Sequence, residues 1–288
     1  MGFKKVKVFG KYKYFYRHDD KYIGHRIALE KYEPYETQLI LRQAKAGDVV
    51  VDVGANIGYY TVLLADKVGK NGKVYAFEPD KINFEILIKN ISENNLENVV
   101  AVNAAVGSKS ETKILYRSEE NLGDHKLFKP TLPSLKKGGK TEIISKKDSE
   151  IVKIIKLDDY LENIKIDLMK IDTQGWEPEV IDGAKKLIEK NKPIIFLEYS
   201  PASYKLAKLN GERMMEFLRR IYPKIWWIDE WLYIYKNLSQ EKIEEICRTN
   251  KTGYADLWMK NNNTFLDYFD QYRCLKIKQY IKRLMGEL

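Results

Sequence analysis

The distribution of apolar residues along the middle of the chain changes repeatedly between two patterns. Five short apolar runs are typical of buried strands, at 49–53, 73–77, 99–103, 166–171 and 193–199. Three stretches between them place apolar side chains at helical spacing, at 58–68, 81–94 and 177–190. Strands that alternate with helices in this way predict a parallel, doubly wound sheet.

The pattern after residue 200 predicts how this sheet ends. A helix over 211–221 leads to the apolar segment 225–228, and a last strand follows at 255–260. We expect that last strand to run antiparallel at the sheet edge. The predicted fold class is therefore α/β, a doubly wound and mostly parallel sheet with one antiparallel strand near the C-terminal end.

Two segments differ in composition from the strands and helices described above. One precedes them, and the other interrupts them. Residues 1–34 alternate basic and aromatic side chains, which predicts a β-rich cover packed on the main domain at 35–262. Residues 107–116 are predicted to form a hairpin. Residues 117–150 are long, polar and rich in lysine, so we expect a flexible insertion on the substrate side.

The C-terminal segment, residues 263–288, predicts a basic amphipathic helix. Such a helix at 264–288 can make peripheral contact with a membrane or a partner. Packing on its own domain is the more frequent arrangement.

The net charge of +9 favours acidic partners, but both signs are interspersed along most of the chain. Nucleic acid is therefore not the favoured partner. Cys247 and Cys274 lack zinc-site spacing, and we predict no metal. The chain has neither a signal-peptide core nor an apolar run that would span a bilayer, which predicts a cytoplasmic protein. The oligomeric state is left open.

A glycine turn follows the first central strand and carries the first candidate chemistry. Its pattern is Asp52-x-Gly54-x-Asn56-x-Gly58, which matches neither the Gly-x-Gly-x-x-Gly fingerprint nor a Walker A loop. Asp52 can accept a hydrogen bond from an ammonium group, and the two glycines let a ligand approach the backbone closely. The turn therefore favours S-adenosylmethionine over NAD or ATP.

Polar residues also follow the other predicted strands. Glu78 ends the second strand, where a carboxylate can accept hydrogen bonds from a ribose diol. Asn103 and Ala104 end the third, near an expected adenine edge, although an ordinary strand-to-hairpin turn explains them equally well. Asp172 and Glu198 end the fourth and fifth. Because ligands of open α/β sheets bind beyond these strand ends, we predict an acid-lined cofactor site.

These motifs resemble the FkbM-type family of S-adenosylmethionine-dependent methyltransferases, which have a Rossmann-like fold and act mostly on oxygen. The resemblance is carried by Tyr32–Thr37, Gly47–Tyr60, Ala76–Pro79, Asn103–Gly107, Met169–Glu177 and Phe196–Tyr199. It implies S-adenosylmethionine as the cofactor, with contacts from these residues: Asp52, Gly54, Asn56, Gly58, Glu78, Asn103, Ala104 and Asp172. Gln174 stands where the family often has Glu, so it receives little catalytic weight.

His125 is the leading candidate for a general base, because histidine titrates near neutrality. Asp124 is its predicted orienting partner, and Asp172 is a further catalytic candidate. A histidine exposed in a loop is an equally good interpretation of His125. Glu198 and Tyr199, together with His125, are predicted to contact the acceptor.

The favoured function is O-methylation of a hydroxyl on a small molecule, sugar or glycan. Two alternatives stay open: an RNA methyltransferase, and a non-catalytic scaffold that binds the donor.

Overall fold

A computed structural model describes residues 2–118, 121, 123–129, 136–137, 140–141, 149–232 and 234–261. The predicted C-terminal helix at 263–288 and much of the insertion at 117–150 lie outside the described residues. Among the described residues, no helix is long and apolar enough to cross a membrane.

The elements follow the predicted alternation of strands and helices. The strands are β1 (Phe3–Val8), β2 (Tyr12–Arg17), β3 (Val49–Val53), β4 (Lys73–Phe77), β5 (Val99–Val102), β6 (Ala105–Val106), β7 (Glu111–Tyr116), β8 (Lys136–Lys137), β9 (Lys140–Thr141), β10 (Ser149–Ile155), β11 (Leu168–Ile171), β12 (Ile194–Tyr199), β13 (Ile225–Asp229), β14 (Ile234–Asn237) and β15 (Ala255–Met259). The helices are α1 (Ile23–Ala28), α2 (Pro34–Gln43), α3 (Tyr59–Val68), α4 (Lys81–Glu93), α5 (Leu157–Tyr160), α6 (Glu177–Gly183), α7 (Lys185–Asn191), α8 (Pro201–Ala207), α9 (Gly211–Ile221) and α10 (Gln240–Thr249).

The main sheet has eight strands in the order β14-β13-β15-β12-β11-β3-β4-β5. The five strands from β12 to β5 pair in parallel, which confirms the predicted doubly wound sheet. The strand order reverses between β3 and β11, because β4 and β5 follow on one side of β3 and β11 and β12 lie on the other side. In open α/β sheets the ligand binds at this switch point, beyond the strand ends.

The predicted antiparallel strand is present as β15, but its expected place at the edge is wrong. β15 pairs antiparallel with both β12 and β13, and β14 is the edge strand. Leu257 and Trp258 are both almost fully buried, so both faces of β15 are covered. The Trp258 ring stacks on Trp226 of β13 at 4.5 Å between centroids. β14 runs antiparallel to β13 and adds a second reversed strand.

The hairpin predicted at 107–116 is also wrong. β7 pairs antiparallel with β10, which returns from beyond the insertion, and β6 pairs in parallel with the other edge of β10. The partner of β7 is therefore distant in sequence, and local alternation gave no sign of it.

Alternate residues of the central strands enter two apolar clusters on opposite faces of the sheet. Val50 and Leu168 belong to one cluster, and their neighbours Val51 and Met169 belong to the other. Helices α2 and α3 cover the first face, and α6, α7 and α9 cover the second. Continuous apolar strands are expected where a sheet is covered on both sides.

The N-terminal strands β1 and β2 form an antiparallel hairpin that is fastened to α4. The Asn90 side chain accepts a hydrogen bond from the Phe15 N–H at 2.6 Å and donates one to the Phe15 carbonyl at 3.1 Å. The buried Tyr14 hydroxyl donates to the Tyr59 carbonyl at 3.0 Å. These bonds position α1, which follows the hairpin, beside the start of α3.

Candidate functional site

The turn between β3 and α3 has a backbone that glycine alone accommodates without strain at two positions. Gly54 has φ +83°, and a Cβ there would lie 1.9 Å from the Asp172 carbonyl oxygen. Gly58 has φ +87°, and a Cβ there would lie 2.5 Å from the Leu87 side chain on α4. Gly54 therefore allows two strand ends to meet, whereas Gly58 allows α3 and α4 to pack.

Glu78, at the end of β4, closes the same turn. Its Oε2 accepts a hydrogen bond from the Asn56 N–H and its Oε1 accepts one from the Asp80 N–H, each at 2.8 Å. The residue is only 5% exposed, and burial, together with the nearby Asp80 carboxylate, raises the pKa of Glu78 to about 8. Each carboxylate oxygen keeps a second lone pair for a ligand hydroxyl.

These residues line a cavity, here called the Glu78 cavity, which encloses about 510 Å³, including space open to solvent. Its walls are mainly apolar, from Phe77, Val106, Leu115, Leu127 and Trp176. Apolar walls with a few polar groups are typical of sites for small organic ligands.

Asn103 and Ala104 were predicted to contact the ligand, but neither residue lines the Glu78 cavity. The Asn103 amide instead donates to the carbonyls of Glu78 and Pro79, at 2.9 and 3.0 Å. The next residue, Ala105, lines the Glu78 cavity. Asn103 thus holds the loop that carries Glu78.

His125 lines the Glu78 cavity, but Asp124 does not orient it. The Nδ1 of His125 accepts a hydrogen bond from the Ser118 N–H at 3.1 Å, and its Nε2 lies 3.9 Å from the Asp80 carboxylate. Burial lowers the pKa of His125. In the neutral form the proton is therefore on Nε2, and the lone pair of Nδ1 is already used.

Asp124 pairs instead with Lys126, at 2.7 Å between Oδ1 and Nζ. The Lys126 ammonium also donates to the Gln174 carbonyl at 3.3 Å, and the side chain is only 4% exposed. Neither residue is in the lining of the cavities described here.

A second cavity, here called the Lys170 cavity, adjoins the first and encloses about 1130 Å³, including space open to solvent. Tyrosine rings form much of its wall, from Tyr22, Tyr32, Tyr59, Tyr60 and Tyr254. Its charged lining residues are Arg26, Glu33, Asp52, Lys170, Asp172 and Glu198. The two cavities therefore differ in chemistry.

Asp172 lies at the junction, because it lines both cavities. Its Oδ2 accepts a hydrogen bond from the Lys170 ammonium at 3.1 Å, and its Oδ1 accepts one from the Gln174 amide at 2.8 Å. The Asp172 side chain is 21% exposed. Two donors therefore fix the orientation of a carboxylate that a ligand can still reach.

Asp52 lies on β3 beside Lys170 of β11, in direct register. Its Oδ2 accepts a hydrogen bond from the Thr61 hydroxyl at 2.6 Å. Burial raises the pKa of Asp52, and the Lys170 ammonium opposes that rise.

Glu198 and Tyr199, at the end of β12, were both predicted to contact the methyl acceptor, but they line different cavities. Glu198 lines the Lys170 cavity and accepts from the Gln174 amide at 3.4 Å, and burial raises its pKa well above the usual range. Tyr199 lines a separate groove beside α8 and α10, where its hydroxyl accepts from Gln240 at 2.9 Å. Adjacent strand residues face opposite sides of a sheet, which explains the separation.

Lys170 and Tyr60 are cavity residues that the sequence interpretation did not single out. A signal was present for Lys170, since it is a charged residue inside an otherwise apolar strand. Such a residue is buried only when partners offset its charge.

The fold and the site together define a class of protein. A doubly wound sheet, a glycine turn at its switch point and an acid at the end of the next strand are the features of a Rossmann-like methyltransferase. The sequence model of the Methyltransferase FkbM domain matches residues 52–224. The chain belongs to this family, which confirms the resemblance carried by its motifs, and S-adenosylmethionine is its cofactor.

Individual relatives are more distant. The chain is 28% identical over 155 residues to the hexuronic acid methyltransferase AglP of Haloferax volcanii, a match that covers 53% of this chain and 56% of that protein. It is 32% identical over 136 residues to a protein-L-isoaspartate O-methyltransferase of Aeropyrum pernix, covering 46% and 52%. The chain thus spans about half the length of these curated relatives.

Solved structures are similar at low identity. The crystal structure of methyltransferase FkbM from Methylobacillus flagellatus KT gives a TM-score of 0.44 at 15% identity, covering 74% of this chain and 43% of that one.

The residues of the Glu78 cavity fit S-adenosylmethionine. The Glu78 carboxylate retains acceptor capacity for ribose hydroxyls, and the apolar wall suits an adenine ring. Among the described residues, no group of His, Cys, Asp and Glu is arranged to hold a metal ion.

Proposed function

We propose that the chain is an O-methyltransferase that binds S-adenosylmethionine in the Glu78 cavity and its acceptor in the Lys170 cavity. The observation that supports this most strongly is the position of Asp172, which lines both cavities. A methyl group passes directly between two bound molecules, so their sites must meet at one point. Asp172 is a charged residue at that point.

The bound cofactor supplies an electrophilic methyl group on a cationic sulfonium. Glu78 accepts hydrogen bonds from the ribose hydroxyls, and the apolar wall packs on the adenine. Asp52 lies on β3 just before the glycine turn and lines the Lys170 cavity, so it accepts from the ammonium of a methionine part that extends past the junction of the two cavities. His125 lines the adenosine side and acts in binding.

The acceptor is a hydroxyl compound, such as a sugar or a glycan unit. Carboxylates of the Lys170 cavity, including Glu33 and Glu198, offer acceptors for several hydroxyl groups. Tyrosine rings offer flat apolar surfaces for the C–H faces of a sugar ring. The similarity to a hexuronic acid methyltransferase is consistent with this acceptor class.

Asp172 is the proton acceptor in this proposal. The acceptor oxygen attacks the methyl carbon, its proton passes to Asp172, and the carbon–sulfur bond breaks with its electron pair on sulfur. His125 is less suited to the task because its Nδ1 lone pair is used by Ser118. Holding the two reactants in line can supply up to about 7–11 kcal/mol of the barrier.

The test compares Asp172→Asn with Asp124→Asn, a matched change in a partly buried carboxylate that lies outside both cavities. We expect Asp172→Asn to lower kcat on the order of 10²–10⁴-fold and to leave the affinity for S-adenosylhomocysteine within a few-fold of wild type. Affinity is measured by calorimetry. Turnover is measured with labelled S-adenosylmethionine against hexoses, hexuronic acids and methyl glycosides.

Undiminished turnover in Asp172→Asn would exclude it as the proton acceptor. Donor binding by the wild-type chain, with no transfer to any compound of the panel, would instead favour a scaffold that binds the donor.

A further inference from the structure

Lys170 is a buried lysine that the proposed reaction does not yet use. Its side chain is 5% exposed, lines the Lys170 cavity and contacts Asp172 at the junction of the two cavities. We propose that Lys170 is a positioning residue: its ammonium holds the Asp172 carboxylate in place for the acceptor and offsets the negative charge of the neighbouring carboxyl groups. The inference rests on the proposed role of Asp172 as proton acceptor.

The contacts of Lys170 give its ammonium one stable position. Nζ donates to Asp172 Oδ2 at 3.1 Å and lies 4.6 Å from the centroid of the Tyr60 ring. The Tyr60 hydroxyl in turn donates to Glu33 Oε2 at 2.8 Å. With this ion pair formed, the Asp172 side chain is still 21% exposed, so a ligand in the cavity can reach its carboxylate.

The charge around Lys170 is predominantly negative. The titratable groups that line its cavity or act on its charge are Tyr22, Arg26, Tyr32, Glu33, Glu36, Asp52, Tyr59, Tyr60, Asp172, Glu198 and Tyr254, and Glu230 and Asp256 act in turn on Glu33 and Glu36. Burial alone would lower the pKa of Lys170, but the carboxylates of Asp172, Glu33, Glu36 and Asp52 raise it above its usual value. Lys170 therefore stays charged.

The neighbours show the reciprocal effect. Burial raises the pKa values of Asp52 and Glu33, and in each case Lys170 is the leading influence in the opposite direction. An opposite charge at this range typically changes a carboxyl pKa by about 1–3 pH units. Without the ammonium, more of these carboxyls hold a proton at neutral pH.

Lys126 provides a matched control. It is a second buried lysine paired with an aspartate, at 2.7 Å from Asp124, but it lies outside the described lining of both cavities. Lys126→Met removes the same charge and the same kind of ion pair. A general loss of stability would appear in both variants, whereas a local effect on the Lys170 cavity appears in one.

The experiment measures carboxyl titrations by ¹³C NMR in the full chain, labelled at Asp and Glu and saturated with S-adenosylhomocysteine. In Lys170→Met we expect the midpoints of Asp52 and Glu33 to rise by about one pH unit or more, a tenfold gain in proton affinity. Lys170→Arg should stay near wild type because it keeps the charge, and Lys126→Met should not move either midpoint.

Turnover gives a second measurement, with the best methyl glycoside or hexose of the acceptor panel. The acid limb of the kcat profile should move to higher pH in Lys170→Met and return toward the wild-type position in Lys170→Arg. Lys170→Gln, which can still donate to Asp172, replaces the Met variant if that variant does not fold.

Unchanged midpoints of Asp52 and Glu33 in the neutral variant, with S-adenosylhomocysteine bound, overturn the role of Lys170 and leave the proposed function standing. Failure of the wild-type chain to bind S-adenosylhomocysteine overturns the proposed function instead. The two failures are therefore distinguishable.

Discussion

The two adjoining cavities are lined by different kinds of residue. The Glu78 cavity is shaped by backbone and apolar side chains, with the glycine turn at one end and Trp176 in its wall. The Lys170 cavity is shaped by tyrosines and by charged groups that offset one another. A substitution in the Glu78 cavity should affect binding mainly by changing its shape. A substitution in the Lys170 cavity should act mainly by changing its charge.

The sources of their residues differ as well. The Glu78 cavity takes most of its polar groups from the ends of β11, β3 and β4, which are consecutive in the sheet, and adds Asn83 from α4 and His125 from the segment after β7. The Lys170 cavity also takes Tyr22, Arg26 and Tyr32 from the N-terminal segment, and Thr252 and Tyr254 from the loop before β15. The first cavity is thus a property of the fold, and the second depends on segments added around it.

The largest effect expected from this contrast is that of Gly54→Ala. A Cβ at Gly54 would meet the Asp172 carbonyl at 1.9 Å, so β3 and β11 would have to separate at the junction. We expect affinity for S-adenosylmethionine to fall more than about 100-fold because the strand ends that form the donor site move apart, and we expect backbone strain to lower stability by about 1–3 kcal/mol. Calorimetry measures the affinity, and denaturant unfolding measures the stability.

Gly47→Ala is the matched control for that change. Gly47 has φ +88°, close to the +83° of Gly54, but a Cβ there meets nothing within 4 Å. It should lose stability through strain and retain donor affinity. Equal losses of affinity in both variants would show that strain, rather than the space at the strand ends, limits the Glu78 cavity.

The same contrast explains what the sequence predicted. The polar ends of apolar runs indicated Gly54, Asn56, Glu78 and Asp172, all of which line the Glu78 cavity. Their arrangement follows from parallel strands whose carboxyl ends meet at one edge, and this topology is visible in the alternation of strands and helices.

The sequence was a weaker guide wherever a side chain depends on a distant partner. Asp124 pairs with Lys126 and His125 faces Asp80, although their order along the chain suggested that Asp124 orients His125. The Lys170 cavity brings residue 22 beside residue 254, and no local pattern predicts such a contact. β15 lies inside the sheet because β13 and β14 extend it, which depends on tertiary pairing.

A second, intermediate effect is expected for Glu78→Gln in the Glu78 cavity. Replacing a carboxylate that accepts ribose hydroxyls should weaken donor binding about 10- to 100-fold, since hydrogen bonds to charged groups are worth about 1.5–3 kcal/mol. Wild-type affinity should fall as pH drops below about 8, where Glu78 becomes protonated, and the Gln variant should lack this dependence. Calorimetry at several pH values measures both.

Stability gives an independent check with the opposite trend. The folded pKa of Glu78, about 8, lies above its ordinary value of 4.5, so the folded state binds the proton more tightly. The contribution of Glu78 to stability is therefore fully present below about pH 4.5 and is lost as pH rises toward 8. The free energy of unfolding, measured with denaturant, should therefore fall less between pH 4.5 and 8 in Glu78→Gln than in the wild-type chain. An identical pH dependence in both proteins would contradict the assignment.

The smallest effect expected is that of His125→Gln, and it separates binding from proton transfer. The Gln side chain oxygen can still accept from the Ser118 N–H, so the loop should keep its shape. We expect donor affinity to weaken about two- to tenfold, the range of a neutral hydrogen bond, while kcat falls far less than in Asp172→Asn. His25→Gln, on the exposed side of α1, is the control. A loss of kcat equal to that of Asp172→Asn, with donor binding intact, would identify His125 as the proton acceptor. The Glu78 cavity would then take part in proton transfer as well as in donor binding.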